Sequence, residues 1–470
     1  MRRINSRYRR DAARSGLFCL LIAFVMARSL HAQDLPRAPR AQIFDLTPNP
    51  GYFSEPAVAV NPANPQQVVG VYQSPAHASY SQDAGHSWQP AESVSPTNYR
   101  ISGDVSVAFD NQGHAFLCYI AFDKLGTFNY WAHGATRNGI FIRRSLDGGK
   151  TWEANHIPVS EFPSQAGIPF EDKPYIVADN TKSKYAGNLY IGWTRWGIAD
   201  SRIVFSRSTD DGKTWSQPIE IDAHPGLPRD DNGAAEGFDG VVAPDGTLYA
   251  IWSQGDDIML TASRNGGQSF SRTRAILHTA PIMFDVNTLE RANGFPQIAI
   301  DPHGKRLYVT WSDYRNGDLD VFLSTSDDKG KHWSAPSRVN DDPVHNGAEQ
   351  FFQWLAVDPV DASVNVVFYD RRHAAENRTQ IVVLARSTDQ GRTFTNYAWT
   401  EQPFDAEGSF LGDYSGLAAY GGHVYGIWTE RPAPPSETEK SGEKDANKQE
   451  DKKSRRGTVV KLGTADFSSR

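Results

Sequence analysis

The sequence predicts an all-β protein built from a repeated unit, and three observations support this prediction. Short apolar runs alternate with turn residues along the whole chain, as in strands joined by tight turns. No segment shows the sustained 3.6-residue period of a long helix. An octapeptide with the order hydroxyl, any, Asp, any, Gly, any, Thr or Ser, aromatic returns along the chain, and such self-similarity is typical of repeat architectures.

The octapeptide has the composition of a tight turn. Its six copies begin 55 to 64 residues apart, at Ser81, Ser145, Ser208, Ser263, Ser326 and Ser387. The Asp carboxylate can accept hydrogen bonds from N–H groups of its own loop, and the Gly supplies a positive φ. The final Trp or Phe is a large apolar anchor under the turn. Two copies depart from the pattern, since Asn265 replaces the Asp and His332 replaces the Thr or Ser.

Between the octapeptides the chain repeats a phrase of two strands. A short apolar strand ends in a turn such as Asn-Pro or Asp-Gly, and a second strand ends in an aromatic residue followed by polar ones. The seven phrases begin, in chain order, with PAVAVNP, DVSVAFDNQG, KPYIVADN, DGVVAPDG, PQIAIDPHG, FFQWLAVDP and YSGLAAYGG. No octapeptide follows the seventh phrase, but residues 457–465 alternate like one more strand.

Two segments lie outside this repeat. Residues 1–32 combine a basic start, a short apolar run and a small residue at Ala32, which predicts a secretory signal peptide rather than a membrane span. The mature chain, residues 33–470, is then one exported domain, periplasmic or extracellular. Residues 432–456 mix charges of both signs with almost no apolar residues, so we expect a disordered insertion there.

The charge balance excludes some partners. Loss of the signal peptide removes seven Arg and one Asp, so the formal net charge falls from −7 to about −13. A strongly acidic exported protein is a poor nucleic-acid binder.

No HExxH or Cys/His set for zinc is present, and no phosphate-binding glycine loop, so we expect no metal and no cofactor. We expect a monomer.

The octapeptide resembles the Asp-box, or bacterial neuraminidase repeat, of the sialidase superfamily. In that family the box joins the third and fourth strands of each blade of a β-propeller, on the rim away from the active site. The resemblance implies a propeller, and the seven phrases favour seven blades over the family's usual six with an appendage. The seventh blade would take its third strand from residues 457–465 and its outermost strand from residues 41–46, which closes the ring without free sheet edges.

If the octapeptides occupy one rim, the starts of first strands and the ends of second strands meet on the opposite face, where a propeller holds a ligand. First-strand starts supply Glu55, Arg100, Asp104, Glu171, Asp172, Lys173, Glu236, Asp239, Glu349, Asp413 and Tyr414. Second-strand ends supply Tyr72, Asp123, Lys124, Arg195, Trp196, Asp313, Tyr314, Arg315, Asp370, Arg371, Arg372, Glu430 and Arg431. Carboxylates, guanidinium groups and aromatic rings on one face suit carbohydrate chemistry. Alternatively, these residues pair with one another as salt bridges between blades.

The resemblance also implies roles for single residues, because sialidases use three Arg on the substrate carboxylate, an Asp acid/base and a Tyr nucleophile activated by a Glu. Residues 99–101, Tyr-Arg-Ile, resemble the family's Tyr/Phe-Arg-Ile-Pro, which implies that Arg100 is the first arginine, although Ser102 replaces the Pro. Asp123 is then the acid/base candidate. Residues 414–417, Tyr-Ser-Gly-Leu, resemble the family's Tyr-Ser-x-Leu, which implies that Tyr414 is the nucleophile.

The remaining sialidase roles follow strand order. In the family the activating Glu opens a strand and the second Arg ends the next one. Glu349 with Arg371 or Arg372 fits this spacing, and Glu171 with Arg195 fits almost as well. Position alone suggests Arg315 as a further arginine.

Three functions remain open at this level, and all take a carbohydrate or glycoconjugate as the first expected partner. The leading one is a secreted glycoside hydrolase that resembles an exo-α-sialidase and removes terminal sialic-acid-like sugars. The second is a hydrolase or lyase acting on another polysaccharide. The third is a non-catalytic propeller that binds a glycan or a protein.

Overall fold

The computed structural model of the protein describes residues 35–91, 94–126, 133–229, 233–280, 283–284, 286–400, 402–432 and 457–468. Residues 35–470 form one compact unit. The predicted signal peptide lies outside the described residues, and so does the predicted insertion except for Pro432. Within the described part of the chain, no helix has the length and apolar character that a membrane span requires.

Seven four-stranded antiparallel sheets follow one another along the chain, as the blades of a propeller. The first three are blade 1, with β2 (Ser54–Val60), β3 (Val68–Gln73), β4 (His77–Ser81) and β5 (Gln89–Pro90); blade 2, with β6 (Ile101–Phe109), β7 (Ala115–Phe122), β8 (Asn138–Ser145) and β9 (Ile157–Phe162); and blade 3, with β10 (Phe170–Ala178), β11 (Leu189–Trp196), β12 (Ser201–Ser208) and β13 (Ile219–Glu220). The next three are blade 4, with β14 (Ala235–Val242), β15 (Leu248–Gln254), β16 (Asp257–Ser263) and β17 (Arg274–His278); blade 5, with β20 (Gln297–Ile300), β21 (Leu307–Asp313), β22 (Asp320–Ser326) and β23 (Ser337–Arg338); and blade 6, with β24 (Gln350–Val357), β25 (Val364–Asp370), β26 (Thr379–Ser387) and β27 (Thr395–Ala398). The predicted all-β propeller with seven blades is confirmed.

Blade 7 closes the ring with strands from both ends of the chain. Its order is β29 (Gly416–Tyr420), β30 (His423–Glu430), β31 (Val459–Asp466) and β1 (Gln42–Asp45). Gln42 pairs with Thr464 and Asp45 with Lys461, as the alternation of both segments predicts. Because the first strand of the chain completes the last sheet, this blade gains a partner that it would otherwise lack.

Four short elements of the described residues lie outside the seven four-stranded sheets. The strands β18 (Met283–Phe284) and β19 (Ala292–Asn293) form a hairpin between blades 4 and 5. The strand β28 (Phe404–Asp405) pairs with the far end of β26, and a single 3₁₀ turn spans Ala375–Asn377. Arg291 immediately precedes β19.

The core lies between neighbouring sheets. Apolar residues of one blade pack on those of the next, as Phe116 and Ile142 of blade 2 pack with Ile191 and Trp193 of blade 3. Second strands sit deepest in each sheet, so their side chains are buried on both faces and read as continuous apolar runs. Cys118 in β7 is one of these fully buried residues and packs in the core between blades 2 and 3.

Each octapeptide joins the third strand of a blade to the fourth, as predicted. In blade 2 the Ser145 hydroxyl donates to Asp147 Oδ1 at 2.8 Å and accepts from the Gly149 N–H at 2.9 Å. The Thr151 N–H and hydroxyl donate to the two oxygens of Asp147 at 2.9 and 2.6 Å. Gly149 adopts a φ of 89°, which other residues rarely reach. The turn is therefore closed by side chains of its own loop.

The two departures from the octapeptide pattern keep the same contacts. Asn265 Oδ1 accepts from the Ser269 N–H at 3.0 Å, and its Nδ2 donates to the Ser269 hydroxyl at 2.8 Å. His332 Nδ1 lies 2.6 Å from Asp328 Oδ2, where a Thr or Ser hydroxyl stands in the other copies. In both copies the third residue accepts from the backbone N–H of the seventh, and a second contact joins their side chains, with its direction reversed in the Asn265 copy.

The octapeptides also tie neighbouring blades together. A side chain of the preceding blade donates to a carbonyl in the middle of each turn, through Tyr425 to Ala84, Gln82 to Gly148, Arg144 to Asp211, Arg207 to Gly266, Arg274 to Gly330 and Arg306 to Gln390. Blade 7 has no octapeptide, and there Asp358 of blade 6 accepts from the N–H groups of Gly421 and Gly422 at 3.0 and 2.8 Å. Every blade-to-blade joint on this rim is hydrogen-bonded.

Candidate functional site

The first strands of five blades carry a β-bulge close to their starts, at the rim opposite the octapeptides. The residues at these bulges adopt positive φ values, 51° at Glu55, 43° at Asp104, 48° at Lys173, 77° at Gly237 and 52° at Phe352. A bulge re-aims a side chain, and strained backbone of this kind is concentrated at functional sites. The bulges therefore mark the channel mouth as the place to look for chemistry.

Seven charged residues meet at this end of the channel, and we call them the mouth cluster: Glu55, Asp104, Asp172, Lys173, Glu236, Arg291 and Asp413. Asp413 forms ion pairs with both basic residues of the mouth cluster. The Lys173 ammonium donates to Asp413 Oδ2 at 2.9 Å, and Arg291 Nε donates to Oδ1 at 2.7 Å. Although burial opposes ionisation, Arg291 and Lys173 hold the pKa of Asp413 well below its usual value. This carboxylate is therefore ionised at neutral pH.

The other carboxyl groups of the mouth cluster form a row. Asp104 is hydrogen-bonded to both Glu55 and Asp172. Burial, together with the charge of Asp413, raises the pKa of Glu55 to about 7, and burial with the charge of Glu55 raises the pKa of Asp104 to about 7. Burial and Asp104 raise the pKa of Asp172 well above its usual value. Carboxyl groups in contact must share protons, so this row is partly protonated at neutral pH.

Tyr414, the predicted nucleophile, lies next to the mouth cluster but faces the interior of the channel. Its hydroxyl donates to the Val105 carbonyl at 3.4 Å. Its ring lies 5.9 Å from the ring of Trp354 and 5.2 Å from Lys173 Nζ. Burial and the nearby carboxyl groups, Glu55 first, raise the pKa of its phenol well above 10. The role of Tyr414 stays a prediction.

Glu349, the predicted activating residue, has a different tyrosine as its partner. The Tyr314 hydroxyl is hydrogen-bonded to the Glu349 carboxyl. Burial raises the pKa of Glu349 to about 7, although this hydrogen bond and the charge of Arg371 oppose the rise. Glu349 Oε2 and, close by, Asp318 Oδ1 are buried without a hydrogen-bond partner among the described residues. A phenol, a base and unsatisfied carboxyl oxygens therefore lie together between blades 5 and 6.

Three of the predicted arginines already pair with an acid of their own blade, as Arg195–Glu171 at 2.5 Å, Arg315–Asp313 at 2.8 Å and Arg372–Asp370 at 2.7 Å. For these three arginines the salt bridges lie within one blade, whereas Lys173 of blade 3 pairs with Asp413, which precedes the first strand of blade 7. Arg371 is fully buried and donates to neutral oxygens, among them Gln380 Oε1 at 3.1 Å and the carbonyls of Asn287 and Asn377 at 2.7 and 2.6 Å. It ties the β18–β19 segment to blade 6.

The two predicted site residues of blade 2 lie apart from the mouth cluster. Arg100 is exposed and makes no side-chain hydrogen bond or ion pair among the described residues. Asp123 accepts from the N–H groups of Lys124 and Thr136, each at 3.0 Å, and so closes a loop. Although burial opposes it, the hydrogen bonds from Thr136 lower the pKa of Asp123. The catalytic and binding roles of both residues stay predictions.

Arg291 and the Tyr314–Glu349 contact are the features that the sequence analysis missed. Arg291 lies in a connection between blades, where none of the repeated phrases reaches. Tyr314 belongs to the set of second-strand ends, but nothing in the sequence pairs it with Glu349, 35 positions away. Only the ordering of blades around the axis brings such residues together.

One group of side chains has the donor atoms of a metal site. Asp110, His114 and Asp211, at the joint of blades 2 and 3, place one ligand atom each within 4.8 Å of the others. His114 Nδ1 lies 3.1 Å from Asp211 Oδ1 and 3.2 Å from Asp110 Oδ2, and Arg144 pairs with the other oxygen of Asp211. These contacts already account for the group as a joint between blades.

Comparison with known proteins gives a local and a structural likeness. No protein-family model matches the chain. A curated sialidase of Bacteroides fragilis (strain YCH46) is 33% identical over 99 residues, which cover 17% of this chain and 18% of that protein. The endosialidase of phage phi92 superimposes with a TM-score of 0.51 at 12% identity, over 92% of this chain and 70% of that one. A Hadza microbial sialidase, Hz136, has a TM-score of 0.46 at 14% identity, over 85% and 73% of the two chains.

These likenesses confirm the resemblance to the sialidase superfamily at two levels. The sequence match is local, since it spans less than a fifth of the curated relative. The structural match to the phage protein extends over most of the chain and shows the propeller fold. The protein is therefore a β-propeller with a local sequence likeness to a sialidase.

Proposed function

We propose that this sialidase-like propeller is an exported glycoside hydrolase that resembles an exo-α-sialidase and acts on the face that holds the channel mouth. The observation behind the proposal is the hydrogen bond between Tyr314 and Glu349. A phenol beside a carboxylate is an activated nucleophile, because the carboxylate accepts the phenol proton as the oxygen attacks. The local likeness to a curated sialidase supports the same reaction class.

In this proposal the two residues divide the first step. Tyr314 Oη attacks the anomeric carbon, the bond to the leaving oxygen breaks, and the phenol proton passes to Glu349. The leaving oxygen takes a proton from a second carboxyl, for which Asp318 is the candidate because its Oδ1 lies buried and unpartnered within electrostatic range of Glu349. In the second step a water molecule attacks the anomeric carbon and gives its proton to the Asp318 carboxylate. The sugar–tyrosine bond breaks, and Glu349 returns its proton to the Tyr314 oxygen. A pKa of about 7 suits Glu349 to both directions of transfer.

The sugar in the leading proposal is sialic-acid-like, as the superfamily resemblance implies. A specific observation favours a second candidate, a neutral terminal sugar. Arg195, Arg315 and Arg372 are each committed to an acid, so binding a substrate carboxylate would require breaking an existing ion pair. The five acids and two bases of the mouth cluster also disfavour an anion.

A fluorogenic sialoside, assayed with neutral glycosides alongside, tests the proposal. We expect Tyr314→Phe to fold normally and lose orders of magnitude in kcat, and Glu349→Gln to impair the same step. The rising limb of the pH–rate profile should have its midpoint near pH 7, because Glu349 must be ionised to accept the proton. Tyr185→Phe is the matched control, since the Tyr185 hydroxyl contacts Arg264 on the octapeptide rim.

Each outcome separates the candidates. Turnover of the sialoside alone supports the leading proposal, and turnover of a neutral glycoside alone supports the second. Full activity in Tyr314→Phe would remove Tyr314 from the reaction. If no glycoside is cleaved, the non-catalytic binding propeller becomes the better account.

A further inference from the structure

A strained turn lies beside Glu349 in blade 6. It is the 3₁₀ turn Ala375–Asn377, in the connection between β25 and β26. Glu376 and Asn377 adopt φ values of 61° and 51°, so two successive residues other than glycine occupy the left-handed region. Asn tolerates this region better than Glu does, and such strain persists only where the surrounding structure imposes it. The turn is therefore held in this shape by its contacts.

Asn377 is hydrogen-bonded to both the backbone and the carboxyl group of Glu349. The Glu349 N–H donates to Asn377 Oδ1 at 3.2 Å. A second hydrogen bond joins the Asn377 side chain to the Glu349 carboxyl and lowers the pKa of that group. A bond that favours the ionised form must come from a donor, so Asn377 Nδ2 supplies it. Because one amide bonds two groups of the same residue, it fixes the direction of the carboxylate.

Arg371 holds the turn in place. Its buried guanidinium group donates to the carbonyls of Asn377 at 2.6 Å and Asn287 at 2.7 Å, and its backbone N–H donates to the Glu349 carbonyl at 3.1 Å. Asn287 Nδ2 in turn donates to the Glu376 carbonyl at 3.3 Å. The turn is thus fixed between the end of β25 and the loop of the β18–β19 hairpin.

We propose that Asn377 is a positioning residue, which holds the Glu349 carboxylate in the direction from which it accepts the Tyr314 proton. The inference rests on the proposed function, since it requires Glu349 to be the base. The charged and titratable groups next to Glu349 are Tyr314, Arg371 and Asp318. The Tyr314 hydrogen bond and the Arg371 charge favour the carboxylate, whereas burial and Asp318 oppose it. Of these neighbours, Asn377 is the one that also bonds the Glu349 N–H.

Replacement of Asn377 by Gly separates positioning from a purely structural role. Glycine adopts a positive φ without strain, so Asn377→Gly keeps the shape of the turn and removes the amide. With the fluorogenic glycoside that the unmodified protein cleaves, kcat should fall about ten- to hundredfold, the effect of one lost hydrogen bond to a charged group. The rising limb of the pH–rate profile should move to higher pH, because the lost donor favoured the ionised carboxylate. A structural role would move neither quantity.

Glu376→Gly is the matched control. It adds the same backbone freedom one position earlier and removes an exposed side chain that forms no hydrogen bond or ion pair among the described residues. The kcat value and the midpoint of the pH–rate profile should stay as in the unmodified protein. Its Tm should be equal or higher, because the strain at this position is relieved. Thermal unfolding of Asn377→Gly checks in the same way that its fold is intact.

A second measurement does not depend on turnover. Carbon-13 NMR of protein labelled at the glutamate Cδ atoms follows the Glu349 carboxyl, whose signal is identified by its loss in Glu349→Gln. The titration midpoint of this signal should be higher in Asn377→Gly and unchanged in Glu376→Gly. If the unmodified protein cleaves no glycoside, the proposed function fails, and this titration still decides whether Asn377 holds Glu349.

Three results would overturn the proposal. An unchanged kcat and an unchanged carboxyl midpoint in Asn377→Gly would remove Asn377 from the site. Equal losses of kcat in the two Gly variants would show that the stiffness of the turn matters and not the amide. A fall in kcat without a shift of either midpoint would show that Asn377 acts on a group other than Glu349.

Discussion

Replacement of Asp147 separates the geometry of the octapeptide turn from its charge. Asp147 accepts three hydrogen bonds, from the Ser145 hydroxyl, the Thr151 N–H and the Thr151 hydroxyl. Asp147→Ala removes all three acceptor contacts. Asp147→Asn should keep them, because Asn265 already forms the equivalent turn in blade 4 by donating from Nδ2 to the Ser269 hydroxyl.

The expected magnitudes follow from these contacts. A hydrogen bond to a charged group contributes about 1.5 to 3 kcal/mol when buried, and the exposure of this turn reduces that value. We therefore expect Asp147→Ala to lower the free energy of unfolding by about 2 to 3 kcal/mol. For a domain of this size that is a fall in Tm of about 3 °C. Asp147→Asn should cost less than about 1 kcal/mol.

Thermal unfolding followed by circular dichroism at neutral pH measures both variants, and ligand affinity is measured on the folded protein. Affinity should not change, because the turn lies on the rim opposite the channel mouth. Equal destabilisation by Asn and Ala would show that the charge matters and not the hydrogen-bond geometry. A changed affinity in stable Asp147→Ala protein would show that the octapeptide rim takes part in function.

Three further predictions concern the mouth cluster, the buried Arg371 and the closure of the ring by blade 7. The folded-state pKa values of Glu55 and Asp104 are raised to about 7, so the native state holds protons that the unfolded chain releases above about 4.5. Tm should therefore fall between pH 5 and pH 7 and then level off. Glu55→Gln should flatten this slope, and a Tm that rises between pH 5 and pH 7 would refute the argument. Arg371→Met should lower the free energy of unfolding, measured by chemical denaturation, by about 3 to 5 kcal/mol, because buried carbonyl acceptors lose their donor. An effect below about 1 kcal/mol would show that water replaces the guanidinium group as the donor. Deletion of residues 457–468 removes β31 and should give aggregated protein in size-exclusion chromatography. Replacement of residues 433–456 by a short Gly-Ser linker should instead leave a monodisperse propeller.

Much of the architecture could be predicted from the sequence because it depends on local sequence patterns. The octapeptides mark the turns between third and fourth strands, since each turn is closed by its own Ser, Asp and Thr side chains. The alternation of residues 457–465 and 41–46 predicts the strands that complete blade 7. Strand direction within a blade then follows from the short connections, so the face that holds the mouth could be predicted as well.

The composition of the mouth cluster was predicted only as a set of positions. Glu55, Asp104, Lys173 and Asp413 all belong to first-strand starts, and the structure brings them together. Their partners could not be predicted, because the bulges change the direction of each side chain relative to simple strand alternation. Arg291 enters from a connection that carries no repeat signal.

The sequence by itself therefore determined the repeat, the number of blades, the closing strands and the rim on which charged residues gather, because each of these depends on contacts within one blade or on the two-residue period of a strand. Only the tertiary structure decided that Tyr314 and not Tyr414 contacts Glu349. It also decided that Arg195, Arg315 and Arg372 are paired with acids and that aromatic residues of the first strands enclose a chamber on the axis. The physical reason is that these contacts join residues far apart in the chain across a ring. Their distances depend on how the blades are arranged around the axis and on side-chain directions at the bulges, and no local pattern encodes either.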